Sequence, residues 1–456
     1  MKPRSRKLKA IPPVYRINKK NQIIYLGVHL ANISIDSEVD EVDLHAYIKT
    51  EPTLELEFEF DTQISWSSLF EVFNRKKTIA VTIPDKKIDS SMILVSMQPG
   101  LGGTRVKLIP ARQSVEVGSL GRAVEIRFHL VNFSDFISKD AVIINTKGGG
   151  FARREAIILE HNGYEVVIIE TIDTKLTMEL LKQRGGRAIT HTGSIRKLDD
   201  SLLTSNEAIE LLFILSQFLS FSMVSWTSPI LPVAYDASRV RVWESWGIRK
   251  INSWKRHQSW LDDHHAETLT SVFKGFAELW NDATWSETLK ASVYWYVFSN
   301  MRVANVDGSI ILAQAALERI AWVYLTEHIK THSKTTAKKL KTAQKVTEVL
   351  NDCKIPVTLP SNYTRLAAYA AEFEYADGPQ TITSIRNNLV HPVNKAKGSG
   401  VIMDGVYHEA LNLYMWYIEL VLLNLMGFSG SYSSRITSNM VGQVEKVPWT
   451  SASLGP

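Results

Sequence analysis

The stretch LELEFEF at residues 54–60 alternates apolar side chains with carboxylates. Because successive side chains of a β-strand point to opposite faces, this period of two predicts a strand with one apolar and one acidic face. Several segments between about residues 20 and 200 have similar β-branched and aromatic content: QIIYLGVHLANISI, KTIAVTI, SMILVSM and AVEIRFHLVNF. Short turn signals, PDKK and QPGLGG, separate some of them. We therefore predict a sandwich-like, antiparallel β domain at residues 1–200.

The pattern changes from strands to helices after about residue 200. TSNE places Thr204 and Glu207 three positions apart, just before an apolar run, and this spacing is typical of a helix capping box. Further along, apolar residues recur at three- and four-residue steps, as amphipathic helices require. One such stripe consists of Ile310, Ala313, Leu317, Ile320 and Tyr324.

These strand and helix patterns predict an α+β fold in four parts. The β-rich domain at 1–200 is followed by a helical connector at 201–290 and an all-α domain at 291–428. The serine-rich segment at 429–456 has little apolar pattern and is expected to be a flexible tail.

Two long apolar segments, 208–226 and 411–428, have about the length of a membrane-spanning helix. The first contains Glu210 and the second Glu419, and a carboxylate deep in a bilayer is costly. We expect both segments to be buried helices of a soluble core, so no membrane association is predicted.

Composition limits the kinds of partner and site. The 456 residues carry a net charge of +5, which permits a nucleic-acid partner without requiring one. A single cysteine, Cys353, excludes an internal disulfide and a thiolate zinc cluster. The basic N-terminal stretch lacks the apolar run of a signal peptide. These features predict a cytoplasmic protein.

Two groups of chemically versatile side chains have simpler explanations. Four tryptophans between residues 243 and 260 are interleaved with basic residues and could stack on bases, but packing between layers is the commoner role. DDHH at 262–265 offers metal-ligand types without a partner at zinc-site spacing. We favour packing for the tryptophans and expect neither a metal nor a cofactor.

SIRNNLVHP at residues 384–392 gathers polar groups at a helix end. Ile382, Ile385 and Leu389 form the predicted buried stripe, and the proline after His391 disfavours helical geometry there, so the helix should stop. Asn387 and His391 are four residues apart and share a face, with Arg386 beside them. Either the three form a catalytic group, or Arg386 pairs with Glu318 or caps carbonyls and His391 caps the helix.

RNNLVHP on a late helix of an all-α domain resembles the motif of the HEPN superfamily, in which an arginine and a polar residue precede a histidine by a short spacer. ALERIAW also resembles that family, and places Glu318 where an acidic residue is frequent. The resemblance covers roughly residues 290–428. Upstream, FHLVNFSDF and RAITHTGSIRKLDD resemble the β-rich region of bacterial ApeA-like anti-phage defence proteins.

The resemblance implies a metal-independent endoribonuclease that acts as a homodimer or higher homo-oligomer in phage defence or abortive infection. Its substrate would be RNA, with tRNA as one candidate, and the N-terminal region would hold it inactive until a phage-derived trigger arrives. Arg386 and His391 would be catalytic, assisted by Asn387 and supported by Glu318. Backbone phosphates would be bound by Lys334, Lys338, Lys339 and Lys341. The alternative is a non-catalytic module that binds nucleic acid or protein and uses the helices to dimerise.

Overall fold

The computed structural model describes residues 8–18, 21–84, 91–100, 102–112, 114–145, 151–247, 249–302, 305–391, 403–437, 440 and 442–453. The chain divides into two compact units. The first comprises residues 1–135, 140–216 and 227–255, and the second comprises 136–139, 217–226 and 256–456. Strands dominate the first unit and helices the second, which confirms the predicted α+β class.

Two antiparallel sheets build the first unit. Sheet one has the order β1-β2-β3-β4-β7-β6, with β5 paired to β2. Its strands are β1 (Arg16–Ile17), β2 (Ile23–Ile35), β3 (Glu38–Lys49), β4 (Glu55–Thr62), β5 (Ala80–Thr82), β6 (Met92–Gly100) and β7 (Gly103–Pro110). A short helix, α1 (Trp66–Phe73), follows β4.

Sheet two has the order β10-β11-β12-β13-β9-β14-β15-β8. Its strands are β8 (Ser114–Gly118), β9 (Glu125–Val131), β10 (Asp140–Asn145), β11 (Phe151–His161), β12 (Tyr164–Glu170), β13 (Ile189–Lys197), β14 (Pro229–Tyr235) and β15 (Arg241–Gly247). Helix α2 (Thr174–Arg184) precedes β13, and α3 (Ser205–Met223) follows it. The predicted capping box forms at the start of α3, where Thr204 N donates to Glu207 Oε2 at 2.8 Å and Glu207 N donates to Thr204 Oγ1 at 3.3 Å.

Strand β4 shows how the alternating pattern builds the sandwich. Leu56, Phe58 and Phe60 face a core to which residues of both sheets contribute. On the other face, Glu57 accepts hydrogen bonds from neighbouring strands, including one of 2.7 Å from Lys49 Nζ, and lies 3.0 Å from Lys107 Nζ. The acidic face is therefore neutralised across the sheet, and the predicted strand is confirmed.

The prediction of a helical connector at 201–290 is wrong for the middle of that segment. Residues 229–247 form β14 and β15, and β14 pairs with β9 inside sheet two. The apolar and aromatic residues of this segment fill the sheet's buried positions, as Trp246 does with no exposed surface. Trp243 and Trp260 are buried as well, so the packing role favoured for the tryptophans is confirmed.

The second unit is mainly helical. Its helices are α4 (Glu267–Asn281), α5 (Ser286–Met301), α6 (Asn305–Val323), α7 (Lys334–Lys339), α8 (Thr342–Asp352), α9 (Thr364–Glu372), α10 (Gly378–Val390) and α11 (Met403–Leu425). The predicted apolar stripe of α6 is buried along its length, including Tyr324 in the π-helical turn Tyr324–His328 that follows. Within the described chain, every helix is too short or too polar to cross a membrane.

The segment after residue 428 was expected to be a flexible tail, and its described part is instead packed against α5 and α11. It contains β16 (Ser431–Tyr432), which pairs with β17 (Glu445–Lys446), and a 3₁₀ turn at Pro448–Ser453. Arg435 Nε lies 2.6 Å from Glu419 Oε1 of α11, and Arg435 Nη1 donates to Asn300 Oδ1 at 3.1 Å. Composition missed this because the segment is anchored by a few isolated buried residues, Tyr432, Arg435 and Val447, rather than by a regular apolar pattern. Residues 438–439, 441 and 454–456 of the predicted tail lie outside the described residues.

Replacing Arg435 with methionine tests this anchor. Arg435 and Glu419 are 5% and 0% exposed, so Arg435→Met leaves a buried carboxylate without its cation. The free energy of unfolding, measured with urea, should fall by about 3–5 kcal/mol. The double variant Glu419→Leu/Arg435→Met should recover much of the loss. Lys274→Met removes a cation from an exposed pair and should change stability little. Equal effects of Arg435→Met and Lys274→Met would contradict a buried anchor.

Two buried histidines of sheet two predict that the first unit is sensitive to acid. His129 on β9 is fully buried, and its Nε2 accepts a hydrogen bond of 3.0 Å from Val14 N. Burial lowers the pKa of His129 to about 4 and that of His191 to about 3, from an ordinary value of 6.5. Between pH 6.5 and these values the unfolded chain binds more protons than the folded chain. Stability is therefore expected to fall as the pH drops through this range.

The His129→Gln variant keeps a hydrogen-bond acceptor and removes the titrating group. Its urea-unfolding free energy should depend less steeply on pH between about 6 and 4.5, with a slope lower by up to roughly 1.4 kcal/mol per pH unit. His264→Gln, at an exposed histidine, should retain the parent slope. An unchanged slope in His129→Gln would show that this histidine does not cause the acid sensitivity.

Candidate functional site

Helix α10 begins and ends where its sequence dictates. The side chain of Asp377 caps it, with Oδ1 accepting a hydrogen bond of 2.7 Å from Gln380 N. The last helical residue is Val390. His391 leaves the helical conformation, with φ −126° and ψ 81°, while its N–H still bonds to Asn387 O at 2.8 Å. The predicted helix end is confirmed, although the proline invoked for it, Pro392, lies outside the described residues.

The burial of α10 separates its apolar and polar sides. Ile382 and Ile385 are buried and Leu389 is half-buried, and the helix packs against α6, α8, α9 and α11. Asn387 and His391 are exposed. The structure therefore brings Arg386, Asn387 and His391 to one accessible helix end, as predicted.

Arg386 is half-buried on the flank of this end. Its Nη1 donates to Asn387 Oδ1 at 3.3 Å, and its Nε is buried without a hydrogen-bond partner in the described chain. The positive charge lies near Tyr414 of α11: burial raises the pKa of that phenol, and the nearby Arg386 opposes the rise. The Tyr414 hydroxyl donates to Gln314 Oε1 of α6 at 2.6 Å. Arg386 thus lies where α6, α10 and α11 meet.

Glu318 has a different partner from the one the sequence suggested. Its Oε1 accepts a 2.8 Å hydrogen bond from Thr342 Oγ1 and lies 3.2 Å from Lys345 Nζ on α8. Among the residues placed by the structure, Arg386 forms no ion pair, so the predicted structural pairing with Glu318 is not what is found. Glu318 still influences the same Tyr414 phenol electrostatically. Glu318 therefore lies on α6, a helix that packs against α10.

The predicted phosphate-binding lysines lie at the corner between α7 and α8. Lys334, Lys338, Lys339 and Lys341 are all exposed. Lys334 Nζ is 3.1 Å from Glu327 Oε1, which partly neutralises it. Lys338 and Lys339 occupy the last turn of α7, and Lys341 is the residue just before α8, where its backbone N–H donates to Gln344 Oε1 at 2.9 Å. The structure groups these lysines together but on different elements from the arginine and histidine.

Two contributors to the site were missed from sequence. Lys345 lies in the same lysine-rich run, yet it is buried, pairs with Glu318 and has its Nζ 5.6 Å from the centre of the Trp322 ring. Gln314 is the buried partner of Tyr414. For Gln314 the available signal was spacing, because Gln314 and Glu318 are four residues apart and therefore share a face of α6.

The DDHH residues, 262–265, form hydrogen bonds that stabilise a loop. Asp262 Oδ1 accepts a hydrogen bond of 2.8 Å from His264 N, and Oδ2 accepts one of 3.3 Å from Gly442 N. In the part of the chain that the structure describes, no three histidine, cysteine, aspartate or glutamate side chains are grouped as metal ligands.

Comparisons with known proteins connect both units to one family name. The model of the YopA central domain matches residues 120–257, and the model of the YopA C-terminal domain matches residues 282–446. The chain is also 27% identical over 403 residues to the SPbeta prophage-derived uncharacterized protein YopA of Bacillus subtilis (strain 168), covering 87% of this chain and 88% of that protein. No solved structure matches. The chain is thus similar to YopA over most of its length, and the α10 motif lies within the segment that resembles the YopA C-terminal domain.

Proposed function

We propose that the helical unit is an endoribonuclease of the HEPN type, with its active site at the C-terminal end of α10. The proposal rests on the surroundings of Arg386, which lacks an ion-pair partner in the described part of the chain. Glu318 is engaged by Lys345, and the Arg386 guanidinium has no carboxylate partner among the described residues. The exposed His391 follows Arg386 by five positions, at the end of the same helix. A guanidinium that no carboxylate neutralises, on the same helix end as an accessible imidazole, suits a phosphodiester.

RNA supplies its own nucleophile, the 2′-hydroxyl next to the scissile phosphate. In the proposed reaction His391 removes the 2′-hydroxyl proton, O2′ attacks phosphorus, and the bond from phosphorus to O5′ breaks. The departing O5′ takes up a proton, which leaves a 2′,3′-cyclic phosphate and a 5′-hydroxyl. Arg386 stabilises the charge that grows on the phosphoryl oxygens, and Asn387 orients its guanidinium through the 3.3 Å hydrogen bond.

A second copy of the chain completes this scheme. The base that takes the first proton starts neutral, whereas the acid that protonates O5′ starts charged. Two histidines fulfil both roles in one turnover, and a two-fold axis near the ends of two α10 helices would supply them. The homodimer is thus part of the proposal.

The biological setting is proposed from the comparison and the two-unit architecture. The similar Bacillus subtilis protein is described as prophage-derived, which suits a role in conflict between phages and their bacterial hosts. We propose that the cytoplasmic β-sandwich unit holds the nuclease inactive until it meets a phage-derived trigger.

Cleavage of RNA in EDTA tests the active site. Total cellular RNA and a tRNA pool are incubated with the parent chain, Arg386→Ala, Arg386→Lys and His391→Ala. The parent should produce defined fragments with cyclic phosphate ends. We expect the rate to fall about 10²–10³-fold in Arg386→Ala, because a charge-stabilising donor is lost, and about 10²–10⁴-fold in His391→Ala. Arg386→Lys keeps the charge but loses the planar fork, and should remain impaired.

The matched control is His264→Ala, which removes an exposed histidine of the same unit outside the motif. It should cleave like the parent. Binding of RNA without cleavage by the parent, under every trigger tested, would instead favour the non-catalytic binding module. Cleavage that survives both Arg386→Ala and His391→Ala would place the active site elsewhere.

The salt dependence of RNA binding tests the lysine corner. Each phosphate contact with a single strand contributes roughly 0.7 to the slope of log K against log salt, so the triple variant Lys338→Gln/Lys339→Gln/Lys341→Gln should lower the slope by about 2. Lys334→Gln is the internal comparison, and its effect should be smaller because Glu327 already pairs with that lysine. Binding is measured by fluorescence anisotropy in the His391→Ala background. An unchanged slope in the triple variant would show that these lysines do not contact RNA phosphates.

A further inference from the structure

A group of three aromatic rings lies next to the motif at the end of α9. The ring centres of Tyr369 and Phe373 are 4.7 Å apart, and those of Phe373 and Tyr375 are 5.8 Å apart. The rings of Phe373 and Tyr375 are nearly parallel, at 16°. Tyr369 is buried beneath them, Tyr375 is half-buried, and Phe373 is 37% exposed. We call Phe373 and Tyr375 the aromatic platform.

The turn after α9 holds the platform in place. Glu374 adopts the left-handed conformation, with φ 54°, at the helix end. This reversal lets Tyr375 N donate back to Ala370 O at 2.9 Å, so that the two aromatic side chains on either side of Glu374 come to lie together. The platform is therefore set by backbone hydrogen bonds.

A direct hydrogen bond connects the group to the motif. Asn388 Nδ2 of α10 donates to the Tyr369 hydroxyl at 3.2 Å. Successive residues of an α-helix are about 100° apart, so Asn388 lies on the flank of α10 opposite Arg386, and exposed Asn387 lies between them. A chain that crosses the end of α10 from Arg386 therefore reaches the aromatic side of the helix within roughly one helix diameter, about 10 Å.

We infer that the aromatic platform stacks an unpaired base of the RNA whose scissile phosphate lies at Arg386, so that the site selects single-stranded RNA. The inference rests on the function proposed above. An aromatic face accepts any base by stacking, whereas the bases of a duplex are already stacked on one another. The platform lies beyond the Asn388 flank of α10, so the stacked base belongs to a nucleotide close to the cleaved bond.

The charges around the platform favour a base over a phosphate. Glu372 and Glu374 are exposed on either side of Phe373 and would repel the backbone. Their carboxylates can instead accept hydrogen bonds from the amino groups on a base edge. The phosphate is thus directed to the cationic flank of α10 and the base to the aromatic one.

Binding to single-stranded and duplex RNA tests the inference in the full chain. All proteins carry His391→Ala, so that the RNA stays intact. Phe373→Leu and Tyr375→Leu keep apolar volume and remove a ring, while Tyr375→Phe keeps the ring. The matched control is Phe70→Leu, at a phenylalanine of α1 that is 52% exposed. The RNA is a labelled mixed-sequence oligonucleotide, used alone and annealed to its complement.

The two leucine variants should bind the single strand about tenfold more weakly, because one stacking contact is lost, and should bind the duplex like the parent. Phe70→Leu should match the parent on both RNAs, and Tyr375→Phe, which keeps the ring, should lose less single-strand affinity than Tyr375→Leu. A 2-aminopurine placed next to the cleavage position should be quenched on binding the protein with an intact platform. This measurement needs no further substitution, and it tests the stacking even if a leucine variant does not fold.

Unchanged single-strand affinity in the leucine variants, or an unquenched 2-aminopurine at every position, would contradict the inference that a base stacks on the aromatic platform. The nuclease proposal would survive that result if Arg386→Ala and His391→Ala still abolish cleavage by the otherwise unmodified chain. Equal losses on single-stranded and duplex RNA would also overturn the selection of unpaired bases. Absence of any RNA binding would overturn both proposals together.

Discussion

The buried ion pair between Glu419 and Arg435 is the interaction on which the helical unit depends. A carboxylate with no exposed surface is tolerated in the middle of α11 only because a cation from the C-terminal segment reaches it. The Tyr296 hydroxyl also donates to Glu419, and the backbone carbonyl of Gln258 accepts from Arg435. This charged contact thus links α5, α11 and the segment after residue 428. Burial raises the pKa of Glu419, and Arg435 opposes that rise.

Helix α11, fixed in this way, supports the start and the end of α10. At the start, Gly378 lies so close to Tyr417 that a Cβ atom would come within 2.5 Å of the phenol oxygen and 3.0 Å of the Val357 carbonyl oxygen. Only glycine permits this approach. Nearer the end, Tyr414 lies in the electrostatic reach of Arg386. Helix α11 therefore packs against the start of α10 and lies close to the flank of α10 that carries Arg386.

Local signals in the sequence were sufficient for the elements that depend on local physics. The alternation at 54–60, the capping box at Thr204 and the end of α10 were all predicted, because each follows from residues within a few positions. The errors involve distant partners. β14 became a strand by pairing with β9, about a hundred residues earlier in the chain, and Arg435 became buried through α11.

In the candidate site, too, the features that depend on neighbouring residues were predicted and those that depend on distant residues were not. Arg386, Asn387 and His391 are neighbours in sequence and were found together at one helix end. The sequence suggested Arg386 and not Lys345 as a partner of Glu318, because the pair with Lys345 depends on the packing of α8 against α6, which local sequence does not specify. That choice matters for chemistry. Had Glu318 paired with Arg386, the carboxylate would compete with a phosphate for the same donors; pairing with Lys345 keeps the guanidinium available.

In the proposed homodimer, the exposed end of α10 would limit how two copies share one substrate. Val390 is 38% exposed beside His391, whereas Asn388 is tied to Tyr369 on the side that carries the aromatic rings. An apolar residue next to a histidine suits contact with a second copy better than contact with RNA. Two copies that meet through Val390 would bring their histidines together and leave each aromatic group on the outer side. In that arrangement a single strand approaches the shared centre from either side, and a rigid duplex would have to unstack to follow it.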